Sequence, residues 1–316
     1  MNRLYYLDES NRMFEERTVI DLKSEAGKMG DLAGPGCKAL IPEEERAALP
    51  EIERNLIKKY RRPLWSKFVK AIKDFNLIED GDKIAVAVSG GKDSTIMAKL
   101  FQELHRHGQR NFELVFIAMD PGYHPDIREL LISNSEALNI PITLFDSNIF
   151  MIADKIAQDY PCYMCAKMRR GALYAKAQEL GCNKLALGHH FNDVIETTLL
   201  NLFYAGAFKT MLPKLKSANF EGLELIRPLY YIEEKDIERF TKEHGIWPLN
   251  CACMVAAEKI ANKRYEIKAL VEEMKKTNKD VDKRILSATR NVNMDCILGW
   301  QKEGEKYSYL DYYDED

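Results

Sequence analysis

The six residues Ser89-Gly90-Gly91-Lys92-Asp93-Ser94 put two positions without Cβ, a lysine, an aspartate and two hydroxyls side by side. That set suits a polyanion. Glycines let backbone N–H groups close on a phosphate at a helix start, Lys92 adds a mobile positive charge, and serine hydroxyls can donate to phosphate oxygens. A second set is built on sulfur, with Cys162-Tyr163-Met164-Cys165 followed much later by Cys251-Ala252-Cys253. Thiols two residues apart can face one metal ion or cluster, and a helix start with nearby cations such as Lys167, Arg169 and Arg170 lowers thiolate pKa. Three thiolates leave one position open on a four-coordinate metal or on one iron of a four-iron cluster, whereas four close the site. The spacing alone leaves a reactive cluster and a structural zinc as alternatives. A third set, Gly188-His189-His190-Phe191-Asn192-Asp193, offers imidazoles and a carboxylate at the start of another helix.

These sets need a scaffold, and the hydrophobic pattern supplies one. The short β-branched run Ile84 to Val88 enters the glycine turn, and Thr95 to Leu100 leaves it with helical spacing. Strands are expected at Glu113 to Met119, Ile142 to Phe145, Lys184 to Leu187 and Leu223 to Ile226. Helices are expected between them at Pro125 to Leu138, Ile149 to Gln158, Ala166 to Leu180 and Asp193 to Tyr204. Such alternation marks an α/β fold with a parallel, doubly wound sheet covered by helices on both faces. Ligands of such sheets sit at the carboxyl ends of the strands, so Ser89 and Gly188-His189-His190 can converge across a hundred residues.

Upstream, helices are expected at Glu51 to Tyr60 and from Pro63, and residues 1–50 read as an extension with short strands at Arg3 to Leu7 and Glu16 to Ile20. Residues 51–250 form the nucleotide-binding core. Residues 251–316 form a helical C-terminal segment, with helices at Ala256 to Lys276 and Asp280 to Ala288 after one at Glu233 to His244.

The formal net charge of −3 owes much to Asp311, Asp314, Glu315 and Asp316 in the tail. Residues 51–75 carry eight basic side chains against three acids, and such a local patch can bind a polyanion on a nearly neutral chain. No window reaches 18 uncharged apolar residues, so no membrane span or secretory leader is expected and the location is read as cytoplasmic. Seven cysteines then suggest thiols or metal ligands rather than a disulfide framework.

The loop is not of the Walker type, because Val86 and Asp93 stand where that motif needs glycine and a hydroxyl residue. It resembles the pyrophosphatase loop of the N-type ATP pyrophosphatases, which cleave ATP to AMP and pyrophosphate. Together, the loop, Cys162 and Cys165 with Arg169-Arg170-Gly171, Gly188 to Asp193 and the late cysteine pair resemble the tRNA 2-thiocytidine synthetases (TtcA family) across roughly residues 52–290. Ile226-Arg227-Pro228-Leu229 is similar to that family too. The resemblance implies an ATP-dependent tRNA thiolase, acting on a cytidine in the anticodon loop, with a [4Fe–4S] cluster on three cysteines. It assigns catalytic roles to Lys92, Asp93, Cys162 and Cys165, and nucleotide contacts to Ser89, Gly90, Gly91, Lys92, Asp93, Ser94, Met119, His189 and Asp193. Cluster ligands would be Cys162, Cys165 and a third cysteine, for which alignment from Lys263-Arg264 favours Cys253 and alignment from Trp247-Pro248 favours Cys251. Asn192 stands where relatives commonly carry aspartate, which leaves any Mg²⁺ role mainly to Asp193. Implied partners are tRNA, a sulfur donor such as a cysteine desulfurase, and a second copy of the chain.

Two rival functions fit parts of this pattern. One is a zinc-containing adenylating enzyme of lysidine-synthetase type or another thiouridylase; the other is a non-catalytic nucleotide-gated RNA-binding module. Iron content separates the first, and tRNA-dependent pyrophosphate release the second.

Overall fold

A computed structural model describes Tyr6–Leu7, Met13–Phe14 and residues 46–108, 110–121, 123, 125–147, 161–246, 249 and 261–313. The core sheet has six strands, β1 (Lys83–Ala87), β2 (Glu113–Asp120), β3 (Ile142–Asp146), β4 (Lys184–Ala186), β5 (Lys214–Lys216) and β6 (Glu224–Ile226), in the order β3-β2-β1-β4-β6-β5. All neighbours are parallel except the edge pair β5–β6. The chain winds outward from β1 to β3, then restarts on the other side of β1 at β4. The expected doubly wound sheet is therefore present, with its switch point between β1 and β4.

Helices cover both faces: α1 (Leu49–Ile57), α2 (Ser66–Asp74), α3 (Lys92–His107), α4 (Pro125–Ala137), α5 (Pro161–Glu179), α6 (Phe191–Tyr204), α7 (Glu234–Glu243), α8 (Ala261–Thr277) and α9 (Val281–Ala288). The pleat of β1 divides its side chains between two cores. Ile84 and Val86, with Val88 beyond the strand end, pack among Phe68, Ile96, Phe101, Ile237 and Phe240. Ala85 and Ala87 face Tyr174, Ala177, Leu185 and Leu225.

Four elements differ from the sequence expectation. Arg61–Trp65, which includes Pro63, forms a π-helical turn ahead of α2. Helix α5 begins at Pro161, so the CxxC segment lies inside the helix instead of before it. Strand β5 and a hairpin of Gly299–Lys302 with Glu305–Ser308 were not expected. In the hairpin, Trp300 stacks on Tyr307 at 5.4 Å. At the N-terminal end Tyr6–Leu7 pairs with Met13–Phe14, earlier than the Glu16 to Ile20 expected, which lies outside the described residues. The helices expected at Ile149 to Gln158 and over 256–260 also lie outside them.

Helix α1 is tied to α3 by the fully buried Lys99, whose Nζ donates to Glu53 Oε1 at 2.7 Å, Gln102 Oε1 at 2.7 Å and Leu138 O at 3.0 Å. Removing the carboxylate would strand a buried ammonium. Glu53→Ala is expected to cost about 3 kcal/mol. Lys99→Met should cost less, because Glu53 keeps Arg106 at 3.0 Å. Urea denaturation midpoints of the two variants check the order.

Candidate active site

The carboxyl end of β1 turns through the glycine pair into α3. Gly90 takes φ +79, and a Cβ there would lie 2.4 Å from Leu249 Cδ1, so both conformation and packing require glycine. Leu249 N–H donates to Gly90 O at 2.9 Å and closes the loop from above. Ser94 Oγ donates to Gly91 O at 2.9 Å, accepts from Ser89 N at 3.1 Å and lies 3.0 Å from Ser89 Oγ. These bonds brace the loop from inside and leave the first N–H groups of α3 at its mouth, where an anion is favoured.

The end of β4 joins it. A Cβ on Gly188 would lie 3.1 Å from Ser94 N and 3.3 Å from Asp93 C, so the two turns are in backbone contact. His190 then caps α6: its Nδ1 accepts from Asp193 N at 3.3 Å, and its own N–H donates to Asp193 Oδ2 at 3.0 Å. That capping box also aims His190 Nε2 at Asp93 Oδ1, 3.8 Å away. Met119, placed near the adenine by its sequence position, is buried at the end of β2 and paired with Phe145 on β3.

Charge in the crevice is arranged around a residue that the motif reading missed. Glu234, in the first turn of α7, holds Lys92 Nζ at 3.0 Å and Lys268 Nζ at 2.7 Å. Burial alone would raise its pKa, but the Lys268 and Lys92 ammonium groups outweigh that and hold it at about 2. Lys92 in turn is raised: burial works against its charge, and Asp93 and Glu234 more than offset it. Asp93 is raised by burial, against the lowering influence of His190 and Lys92, and its Oδ1 has no hydrogen-bond partner. His189 is pushed down to about 4, first by burial and then by Arg227, and is neutral at neutral pH. Acidic residues at a helix start just after the last core strand were the only sequence signal for Glu234.

Glu234 also fixes a pH dependence. Its folded pKa lies below the unfolded value of 4.5, so its contribution to stability is present above pH 4.5 and is lost as the pH falls towards about 2. Glu234→Gln is expected to flatten that part of the acid unfolding curve, measured as the urea midpoint against pH.

Asn192 and Asp193 divide differently from their sequence reading. Asn192 Oδ1 accepts from Glu234 N at 3.0 Å, an anchor for α7. Both Asp193 oxygens are committed, Oδ2 to the cap and Oδ1 to Arg264 at 3.2 Å. Among the described residues, the buried carboxylate oxygen without a hydrogen-bond partner is Asp93 Oδ1. Among the described residues no group of three His, Cys, Asp or Glu side chains could hold a metal ion. Mg²⁺ usually takes one or two carboxylates plus substrate phosphates and water, and Asp93 suits that pattern.

Cys162 and Cys165 stand three positions apart at the start of α5. Cys251 and Cys253 lie outside the described residues. Cys182 is buried and Cys296 exposed. No described helix is long and apolar enough to cross a membrane.

A family model described as a PP-loop domain matches residues 60–248. The chain is 39% identical over 232 residues to a tRNA-cytidine(32) 2-sulfurtransferase of Geobacter sulfurreducens, covering 72% of this chain and 89% of the relative. It is 41% identical over 235 residues to the protein of that name from Geotalea daltonii, covering 72% and 91%. The corresponding protein of Syntrophotalea carbinolica is 38% identical over 253 residues, covering 79% and 95%. The solved structure of the U34-tRNA thiolase NcsA from Methanococcus maripaludis with its [4Fe–4S] cluster superposes with a TM-score of 0.59 at 22% identity, covering 75% of this chain and 80% of that one. At that identity the likeness concerns the fold.

Proposed function

The chain belongs to the tRNA 2-thiocytidine synthetase family of PP-loop proteins, and on that premise we propose that it activates cytidine 32 of tRNA with ATP and replaces its 2-oxygen with sulfur. The observation that carries the reading is the backbone contact of Gly188 with the start of α3. It brings a pyrophosphate cradle, the His189-His190 turn and the Lys92–Glu234 pair into one crevice at the strand switch point.

Ser89 to Ser94 hold the pyrophosphate part of ATP, with Lys92 and the first amides of α3 facing the charge that grows on it as the base oxygen attacks the α-phosphorus. Asp93 would be the carboxylate that holds Mg²⁺, whose charge would offset that of the phosphates. Pyrophosphate leaves, and the base carries AMP on its former carbonyl oxygen. Displacement of AMP by sulfur then forms the C–S bond and breaks the C–O bond, with the electron pair leaving on the AMP phosphate. Cys162, Cys165 and one of Cys253 or Cys251 supply thiolates suited to a four-iron cluster. A cluster held by these three cysteines would supply the sulfur for that displacement.

The anticodon loop presents unpaired bases, as RNA-modifying chemistry requires. A cavity of about 280 Å³ lined by Arg61, Trp65, Lys70 and Lys73 offers cations and an aromatic face to that strand. Lys67, on the same helix, reaches Glu233 at 2.9 Å, next to Glu234. The exposed side chains Phe203, Phe208 and Leu212 suit a face for a second copy, and a cysteine desulfurase or similar protein supplies the sulfur in the cytoplasm.

Mass spectrometry of tRNA nucleosides from cells lacking the protein tests the function: 2-thiocytidine is expected to disappear from position 32. In anaerobic assays Cys162→Ala is expected to abolish thiolation while tRNA-dependent pyrophosphate release continues. Full thiolation by that variant would exclude the cluster role, and zinc in place of iron and sulfide after anaerobic purification would mark a structural site.

A further inference from the structure

Arg227 is a buried cation that the nucleotide contacts above leave unused. It follows β6 directly, where Leu187 N–H donates to Ile226 O at 3.0 Å and Arg227 N–H to Pro213 O at 2.9 Å. Because Ala186 pairs with Ile226, the register carries Arg227 alongside the Leu187 to His189 turn. The residue is only 6% exposed. Its Nη1 donates to Leu212 O, yet Nε is buried with no acceptor among the described residues, and His189 Nδ1 is likewise without a partner there.

The two groups act on each other, since Arg227 helps to hold His189 uncharged and Asp193 acts on both. On its other side Arg227 feels Tyr174 and Arg170. Both lie on α5, whose first turns carry Cys162 and Cys165. Arg227 is therefore within electrostatic reach of both the nucleotide turn and α5. Burial depresses its pKa, to about 10, but it remains a cation at neutral pH.

A buried charged donor without an acceptor is costly, and where native structures keep one, a bound ion, a water or a catalytic role accounts for it. Two neighbouring nitrogens, one of them on a guanidinium, call for a compact anion with several oxygens. On the proposed function the pyrophosphate already has its own cradle in Ser89 to Ser94, the loop against which Gly188 packs.

We propose that Arg227 Nε and His189 Nδ1 form a separate subsite for the single phosphate of AMP, the group that the activated base carries and then releases. The subsite rests on the thiolase reading for the identity of the ligand. Its geometry favours charge on that phosphate, with the Leu212 carbonyl fixing the guanidinium in place.

Calorimetry with AMP and with pyrophosphate, each titrated separately into the full chain, tests this without tRNA or sulfur. Arg227→Gln is expected to weaken AMP by about 10- to 100-fold, the range for a lost hydrogen bond to a charged group, and to leave pyrophosphate within about twofold. His189→Ala, which spares the Leu212 anchor, is expected to weaken AMP by about fivefold, the size of one neutral hydrogen bond, so the proposal stays testable if Arg227→Gln does not fold. Unchanged AMP affinity in either variant would overturn the subsite. Equal losses of AMP and pyrophosphate would overturn it too, by making Arg227 part of the scaffold. Weakened AMP binding in the two variants, together with unchanged 2-thiocytidine in cells lacking the protein, would sink the thiolase reading and leave the subsite standing.

Discussion

Lys92→Met lowers tRNA-dependent pyrophosphate release by about a thousandfold, the scale for removing a preorganised charge from a transition state. The expectation follows from where Lys92 sits. It opens α3, its side chain is only 22% exposed, and its ammonium lies 3.0 Å from Glu234 and 3.5 Å from Asp93. Its charge is thus fixed at the cradle before ATP arrives, and little reorganisation is needed as negative charge builds on the leaving pyrophosphate. ATP affinity should fall by a smaller factor, about tenfold, because the amides of α3 and the two serines still hold the phosphates. The fold survives the change, since Lys268 remains on Glu234 at 2.7 Å. Rapid-quench measurement of pyrophosphate release, beside equilibrium ATP binding, separates the two effects. A rate within tenfold of the unsubstituted protein would transfer the catalytic role to the backbone amides.

What made Lys92 legible was locality. An apolar β-branched run, a glycine pair and a helical pattern occupy neighbouring positions, and their order dictates a strand, a tight turn and a helix start. The convergence of Ser89 with His189 was legible for a related reason, because alternating strands and helices confine ligands to one edge of the sheet. Glu234, Arg227 and the anchoring role of Asn192 depend on contacts between distant segments. Asn192 and Glu234 are 42 positions apart, and nothing in either neighbourhood announces the other. The commitment of Asp193 to Arg264, 71 positions away, likewise moved the unpartnered carboxylate to Asp93. Two expectations failed for local reasons. Pro63 is tolerated inside a π-helical turn, so its helix-starting preference misplaced a boundary, and the CxxC segment continues α5 backward because nothing in Pro161 to Cys165 breaks a helix once proline occupies the first position.

Gly188→Ala is expected to slow pyrophosphate release through the main chain, by pressing the β4 turn against the start of α3. Its Cβ would meet Ser94 N at 3.1 Å, Asp93 C at 3.3 Å and Ser94 Cα at 3.3 Å. All three are main-chain atoms, so no side chain can turn aside to make room. The β4 turn and the start of α3 must separate, and Ser94, which braces Ser89 at 3.0 Å, moves with them. The main chain must give by a few tenths of an ångström, so the expected loss of rate is about tenfold, below the hundredfold that a misplacement of about 1 Å can cost, with about 1 kcal/mol of overpacking in stability. The same substitution at Gly171 is the control. That glycine lies within α5 and has no heavy atom within 4 Å of an added Cβ, so Gly171→Ala should stabilise by about 0.5–1 kcal/mol through helix propensity. Urea midpoints of opposite sign, with pyrophosphate release slowed only in Gly188→Ala, are the expected pair of results. Wild-type release in Gly188→Ala would mean that the two turns can part without harm, and the backbone contact would no longer account for the joining of the cradle to the His189-His190 turn.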